Sequence, residues 1–355
     1  MQNLKSIYRR AYEGWNYRLR TVAGGRFSDS CRPTSIVILL TERCNARCIH
    51  CDIWKNKGKE NSPDLQQWKH LLSDLRKWLG PVQVVISGGE ALLKSHALDL
   101  VEYGSSRGLF IELLSHGFWN DQAKFERLAL AKPGRVTFSC DGIGPIHDFV
   151  RGRQHFFEKT AQSIQTLRQT REKQGLSFAI RLKTVVMQPN IKELATIAEY
   201  AHHNKLEVFY QPIEQNYNTE ENPEWFKTSS LWPKDTDEAL AAIQSLKKLK
   251  QLGHPIVNSL AQLDSMTAYF RDPAKLRVAT QAHAAHEPKL LCSALTMLQL
   301  QANGDVSVCT AHAPIGNIQS QSIREIWEKR PRLWKEGCCL SSRLNQESSD
   351  VQKVG

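Results

Sequence analysis

Residues 35–51 read SIVILLTERCNARCIHC and join a strand-sized apolar run to three closely spaced cysteines. Cys44, Cys48 and Cys51 follow the run, so we expect them on the loop at the carboxyl end of a strand, where parallel α/β folds place active sites. Thiolates are the usual ligands of iron–sulfur clusters, and three cysteines on a [4Fe–4S] cluster leave one iron open. A zinc site with His50 or a distant cysteine as fourth ligand is the alternative.

Short apolar runs and amphipathic segments alternate along the following chain. Strands are predicted over Ile36–Leu40, Val82–Ile86, Phe110–Leu114, Arg135–Cys140, Phe178–Met187 and Leu206–Gln211. Helices are predicted between them over Asp64–Leu79, Ser95–Arg107, Gln122–Ala131, Phe157–Lys173 and Ile191–His203. This order indicates parallel βα units, in either an open doubly wound sheet or an incomplete barrel.

The remaining segments complete the expected order of elements. Residues 216–233 are polar and read as a loop, and helical patterns cover residues 235–252 and 259–271. A hairpin with its turn at residues 302–305 is predicted within residues 292–309, and the polar tail after residue 344 is expected to be disordered.

The composition of the 355 residues is typical of a globular protein, with 41% hydrophobic and 23% charged residues. No apolar run approaches the roughly 20 residues needed to cross a bilayer, and residues 1–5 lack the features of a signal peptide. We therefore expect a cytoplasmic protein. Its nine cysteines favour metal or redox chemistry over disulfides, because that compartment keeps thiols reduced. Cys31 and Cys140 are expected to be buried or incidental thiols.

Residues 1–32 form a basic segment, with seven Lys or Arg residues against two acidic ones. Apolar residues recur at helical spacing from Leu4 to Leu19, which predicts a basic amphipathic helix. A helix packed on the neighbouring domain is the simplest interpretation. Peripheral membrane contact or binding of an anionic partner is the alternative, while nucleic acid lacks support from any RNA-binding or zinc-finger motif.

The cysteine spacing resembles the signature of the radical S-adenosylmethionine (radical SAM) superfamily. Ser87-Gly88-Gly89-Glu90, after the second strand, resembles the Gly-Gly-Glu motif of that family. Ser139-Cys140-Asp141-Gly142, followed by His147-Asp148 and Arg151-Gly152, resembles the fourth-strand segment of members with a C-terminal iron–sulfur extension. Ser115-His116-Gly117 stands where relatives often carry Thr-Asn-Gly, so His116 is assigned no role.

The resemblance implies an α/β fold, a partial (βα)6 TIM-like barrel over residues 33–215. It implies a [4Fe–4S] cluster on Cys44, Cys48 and Cys51, and S-adenosylmethionine bound with the help of Gly88, Gly89, Glu90 and Ser139. We expect glycine at positions 88 and 89 because a ligand that approaches the backbone leaves no room for a side chain. Late-strand residues that are candidates to line the substrate cavity, without an assigned role, are Arg181, Lys183, Tyr210 and Gln211.

A second group of cysteines resembles the SPASM or shorter twitch extension, which binds an auxiliary cluster. The matching residues are Cys292, Gly304, Cys309, Cys338 and Cys339. Four cysteines favour the form with one auxiliary [4Fe–4S] cluster, although adjacent cysteines bind one cluster only where the backbone bends sharply. Buried apolar thiols are the alternative.

The expected domains are an N-terminal arm (residues 1–32), the barrel (33–215), an insertion and helical connector (216–285), a hairpin-plus-helix auxiliary domain (286–344) and the tail (345–355). The resemblance implies an oxidoreductase that cleaves S-adenosylmethionine with an electron from a flavodoxin or ferredoxin and oxidises a small molecule. Maturation of a ribosomally made peptide is the alternative, although the arm is shorter than a leader-recognition domain. A non-catalytic metal-binding regulator or adaptor is the alternative of another class. No general base is identified.

Overall fold

The computed structural model describes residues 2–21, 27–56, 60–216, 219, 222, 224–273, 293–309 and 312–332. Six parallel strands are β1 (Ser35–Leu39), β2 (Gln83–Ser87), β3 (Phe110–Ser115), β4 (Arg135–Ser139), β5 (Ala179–Val186) and β6 (Glu207–Pro212). Three later strands are β7 (Met297–Leu300), β8 (Asp305–Ser307) and β9 (Gly316–Asn317). Each of the six strands predicted from the sequence is present, with its ends shifted by one residue at most.

The helices in the described residues fall between and after these strands. They are α1 (Gln2–Thr21), α2 (Leu65–Leu79), α3 (Ala97–Ser106), α4 (Ala123–Leu130), α5 (Pro145–Arg151), α6 (Phe156–Lys173), α7 (Leu194–His203), α8 (Trp225–Thr228), α9 (Thr236–Gln251), α10 (Leu260–Arg271) and α11 (Ile323–Glu328). The short helices α5 and α8 had not been predicted, because one or two turns give too little periodicity to detect. None of the helices among the described residues is apolar over a length that would cross a membrane.

The strands form one sheet in the order β6-β5-β4-β3-β2-β1-β7-β8-β9. β1 to β6 are parallel neighbours in sequence order, as expected for right-handed βα units. β6 does not pair with β1, which pairs in parallel with β7 instead. The barrel is therefore open between β1 and β6, which confirms the incomplete barrel.

Each barrel strand presents one face to the helices and one to the barrel interior. On β5, Ile180, Leu182 and Val186 are buried against the helices, whereas Arg181 and Lys183 face inward and are partly exposed. This alternation follows from the two-residue period of a strand. The apolar core consequently lies between sheet and helices, and the interior is left for polar side chains.

The C-terminal hairpin extends the barrel sheet, a pairing that local sequence patterns do not reveal. β7 and β8 are antiparallel around a turn at Gly304, as predicted. The α11 residue Trp327 donates a hydrogen bond from Nε1 to the carbonyl of Cys31 at 2.9 Å. The part of the C-terminal region that the structure describes is thus anchored to the start of the barrel.

Candidate radical SAM site

The three cysteines lie together on the loop after β1. Cys48 is buried and Cys44 and Cys51 are half-buried, and all three are free thiols. They pack in a small apolar cluster with Phe118 and Phe156, apart from the main core. The loop therefore presents three potential thiolate ligands above an apolar floor at the carboxyl end of the barrel.

The Gly-Gly-Glu segment after β2 clamps one end of this loop. Gly89 N–H donates to the carbonyl of Thr41 at 2.7 Å, and Glu90 N–H donates to that of Arg43 at 2.9 Å. Gly88 has a φ of +128°, and a Cβ on it would lie 2.3 Å from the Thr41 oxygen. A Cβ on Gly89 would lie 2.3 Å from the Arg43 oxygen. In the structure, these glycines make room for the protein's own cysteine loop. The sequence predicted glycine here for a different reason, the approach of a ligand.

A second clamp comes from the end of α5. Arg47 N–H donates to the carbonyl of Arg151 at 3.1 Å, and Ile49 N–H donates to that of Val150 at 3.0 Å. Gly152 has a φ of +71°, and a Cβ there would lie 2.3 Å from the Arg47 oxygen. Only glycine allows this approach without strain. The cysteine loop is consequently held by backbone contacts on both sides.

Glu90 is buried, and His116 is its main neighbour. Its carboxylate accepts hydrogen bonds from Ser115 Oγ (3.0 Å) and His116 N–H (2.9 Å). His116 Nδ1 accepts from the N–H of Phe118, so Nε2 carries the proton and donates to Asn45 Oδ1 at 2.7 Å. His116 Nε2 also lies 3.2 Å from Glu90 Oε2. His116, which the sequence left without a role, connects the cysteine loop to Glu90.

A buried ion pair lies beneath Cys48. Arg151 Nη2 is 2.5 Å from Asp141 Oδ2, and Arg151 Nη1 donates to Cys48 Sγ at 3.5 Å. Asp141 is completely buried, and burial alone would raise its pKa. The positive charge of Arg151 and a hydrogen bond from Val185 N–H nevertheless lower that pKa, so the carboxylate stays ionised. In the sequence, Asp141 and Arg151 were recognised only as parts of a motif. Charged residues just after a strand were nevertheless a usable signal for a role at this site.

The donor set fits a cluster. Burial raises the pKa of Cys44 to about 12 and also raises that of Cys51, so metal binding must displace their protons. In a cluster each thiolate binds its own iron, so three cysteines spread along one loop suit it.

The remaining predicted site residues have mixed outcomes. Ser139 ends β4 beside Lys183 of β5, and both face the barrel interior. Burial lowers the pKa of the Lys183 ammonium, and Arg181 is held by Glu207 at 2.7 Å. Tyr210, in contrast, points outward and donates to a helix carbonyl. Tyr210 is therefore excluded as a cavity residue, because its strand position faces the core.

Cys31 and Cys140, expected to be buried or incidental, are both buried.

A cavity of about 360 Å³ lies on the open side of the barrel. It is lined by Ile49 and His50 of the cysteine loop and by residues after β6, and Asp52 N–H donates to Asn216 Oδ1 across the gap at 3.2 Å. Burial lowers the pKa of His50 to about 4, so this imidazole is neutral at pH 7. Glu214 is the one residue with a formal charge among the described lining residues, most of which carry amides, hydroxyls or apolar groups.

The second group of cysteines is described only in part. Cys309 is buried just after β8. Cys292, Cys338 and Cys339 lie outside the described residues. Their assignment as auxiliary-cluster ligands thus remains a prediction.

Two family models match the chain. Residues 38–183 match the radical SAM superfamily, and residues 292–347 match the SPASM iron–sulfur cluster-binding domain. The first range contains the cysteine loop and both of its clamps, and the second contains the four C-terminal cysteines.

The chain is similar to several curated proteins. The chain is 28% identical to the AdoMet-dependent heme synthase of Methanosarcina barkeri over 48% of this chain and 47% of that protein. It is 30% identical to the PqqA peptide cyclase of Rhodopseudomonas palustris over 48% and 44%. It is 24% identical to the pre-heme d1 synthase of Dinoroseobacter shibae over 86% and 78%. The chain thus spans about half the length of the first two proteins.

A solved structure supports the fold. SuiB of Streptococcus suis bound to S-adenosylmethionine superimposes with a TM-score of 0.65 at 13% identity, over 86% of this chain and 68% of that one. The chain thus contains a region that matches the radical SAM superfamily, in the part that forms the barrel and the cysteine loop. A region that matches the SPASM domain follows the barrel. The first domain implies a [4Fe–4S] cluster with S-adenosylmethionine, and the second implies auxiliary iron–sulfur binding.

Proposed function

We propose that this protein is a radical SAM enzyme that reductively cleaves S-adenosylmethionine and abstracts a hydrogen atom from a substrate. The observation that carries this proposal is the cysteine loop clamped on both sides by the backbones of Gly88–Glu90 and residues 150–152. When bound, the cluster supplies the electron that cleaves a carbon–sulfur bond and gives methionine and a 5′-deoxyadenosyl radical. A ferredoxin or flavodoxin would deliver that electron.

The residues have separate tasks in this proposal. Cys44, Cys48 and Cys51 would hold the cluster on the loop after β1. Gly88–Glu90 and Ser139 bind the cofactor at the ends of β2 and β4, where parallel barrels concentrate their ligands. The apolar floor of Phe118 and Phe156 excludes water from the sulfurs.

The cavity chemistry restricts the substrate class. The described cavity lining carries amides, hydroxyls and one carboxylate, and Arg181 and Lys183 face the adjoining barrel interior. Amide and hydroxyl side chains with one carboxylate suit a neutral or cationic polar molecule. We therefore propose a small polar substrate that is dehydrogenated or similarly oxidised.

Peptide maturation is the second candidate, because the same lining also suits peptide amides and one relative is a peptide cyclase. The two candidates differ in what triggers S-adenosylmethionine cleavage. A short peptide encoded beside the gene would stimulate 5′-deoxyadenosine formation and gain a mass change in the second case only. A polar alcohol or amine would stimulate 5′-deoxyadenosine formation in the first case.

Reductive cleavage of S-adenosylmethionine is tested without the substrate. Protein reconstituted anaerobically with iron and sulfide is mixed with dithionite and S-adenosylmethionine, and 5′-deoxyadenosine is measured by chromatography. We expect production by the wild-type protein and only background from Cys44→Ala. Equal background in both proteins contradicts the proposal. Stoichiometric zinc in the isolated protein, without iron, would favour the metal-binding adaptor.

A further inference from the structure

Arg151 stands out among the buried charges because it contacts one cysteine of the loop directly. The residue is only 6% exposed, and its Nη1 donates to Cys48 Sγ at 3.5 Å. Cys44 Sγ, in contrast, accepts the backbone N–H of Ala46 at 3.4 Å, and among the described residues no hydrogen bond from a charged side chain reaches Cys44 or Cys51. The three thiols therefore stand in unequal electrostatic surroundings.

Asp141 fixes the guanidinium in this place. Its carboxylate lies 2.5 Å from Arg151 Nη2, while Oδ1 accepts the N–H of Val185 at 2.8 Å. The side-chain amide of Asn190 donates to the Asp141 carbonyl at 2.9 Å. The ion pair is thus tied to β5 and to the turn after it, in addition to α5. A guanidinium held this firmly keeps one orientation toward the sulfur.

We propose that Arg151, oriented by Asp141, raises the reduction potential of the cluster bound at Cys44, Cys48 and Cys51. This inference rests on the proposed function, which requires that cluster. Reduction adds one electron to the cluster, and a neighbouring positive charge that also donates to a ligand sulfur stabilises the more negative state. Solvent screens the charge little, because Arg151, Asp141 and Cys48 are all buried.

Replacement of Arg151 is the direct test. The midpoint potential is measured by EPR-monitored redox titration on anaerobically reconstituted protein, using the signal that Cys44→Ala lacks. We expect Arg151→Gln to lower the potential, and Arg151→Lys to lower it less because it keeps the charge. The double variant Asp141→Asn, Arg151→Gln leaves no unpaired buried carboxylate, so it should fold and show a potential that is lowered, but by less than in Arg151→Gln because a negative charge is removed as well.

Arg47 supplies the matched control. It is an exposed arginine on the same loop, and its guanidinium donates to the carbonyl of Ala46 at 2.7 Å. Arg47→Gln removes one positive charge that water already screens, so its potential should stay at the wild-type value.

Two results would overturn the inference. One is an unchanged potential in Arg151→Gln or the double variant when iron content and the EPR signal are preserved. The other is loss of the cluster from all Arg151 variants, which would make the ion pair a structural clamp only. Failure of wild-type protein to form 5′-deoxyadenosine would instead contradict the proposed function and leave the potentials comparable.

Discussion

Buried polar side chains are paired differently at the two ends of the barrel. At the amino end, Glu112 accepts from Gln83 Nε2 (2.7 Å) and Thr137 Oγ1 (2.6 Å) and pairs with Arg135. At the carboxyl end, His147 is completely buried, yet its Nε2 has no hydrogen-bond partner among the described residues. Both oxygens of the Glu112 carboxylate are thus paired at the amino end, where Arg135 Nε lacks a partner among the described residues, whereas at the carboxyl end the His147 ring is left unpaired at Nε2.

This difference indicates that residues at the amino end stabilise the fold, whereas residues at the carboxyl end serve binding or catalysis. A buried polar group without a partner costs free energy, so it persists where a ligand or a reaction uses it. A parallel barrel is expected to carry activity at its carboxyl end and stability at its amino end. Substitutions at the two ends should therefore change different quantities.

The largest effect is expected at the carboxyl end from Gly89→Ala. The new Cβ would lie 2.3 Å from the carbonyl oxygen of Arg43, which directly precedes Cys44. The cysteine loop must move to relieve this contact, so we expect most bound iron and nearly all 5′-deoxyadenosine formation to be lost. Iron analysis and chromatography measure both quantities on reconstituted protein.

Gly14→Ala is the control for that substitution. Nothing lies within 4 Å of the Cβ it would add to α1. Alanine in a helix should stabilise the protein by up to about 1 kcal/mol and leave iron binding unchanged. Full iron content and activity in Gly89→Ala would contradict the clamp.

Glu112→Gln should give the next largest effect, on stability and not on cluster binding. Removing one partner of a buried pair leaves Arg135 uncompensated and costs about 3–5 kcal/mol at pH 7. Burial alone would raise the pKa of Glu112, but hydrogen bonds and charge from Arg135, Thr137 and Arg181 lower it. The stabilisation is thus complete above the unfolded-state pKa, about 4.3, and is lost as pH falls through the lower folded-state pKa.

Urea unfolding of the cluster-free protein between pH 3 and pH 7 measures this contribution. The wild-type midpoint should fall in acid more steeply than that of Glu112→Gln. Asp99, whose side chain is 38% exposed in its pair with Arg127, is the surface control. Asp99→Asn should cost about 0–1 kcal/mol. Equal losses for both variants would remove the distinction between a buried pair and a surface pair.

The strands were predictable from the sequence because their signal is local. Alternating apolar runs place β1 to β6 within a residue of their observed ends, and the cysteines follow β1 as expected. The pairing of β7 with β1 joins residues more than 250 positions apart, which no local pattern encodes. The roles of His116 and Arg151 depend on contacts between strand ends, which become visible only when the strands are assembled.

His116→Ala should weaken S-adenosylmethionine binding. The substitution removes the donor that Nε2 directs at Asn45 and Glu90, so the Glu90 carboxylate loses its orientation. We expect a rise in Kd of about 10–100-fold, the range seen when an outer partner of a metal ligand is removed. Calorimetric titration of reconstituted protein measures it. His116→Asn keeps an amide donor and should recover part of the affinity, whereas wild-type affinity in His116→Ala would show that Glu90 needs no such partner.

The smallest effect is expected at the amino end, where α1 covers the barrel. Tyr12 Oη donates to the carbonyl of Pro33 at 2.7 Å, just before β1. Tyr12→Phe should lower the free energy of unfolding by about 0.5–1.5 kcal/mol, the usual net value of one hydrogen bond. Tyr17 on the same helix is 49% exposed, so Tyr17→Phe should change stability little. Because neither ring lies near the cysteine loop, iron content should stay at the wild-type level in both variants. Loss of iron from Tyr12→Phe would show that the two ends are coupled.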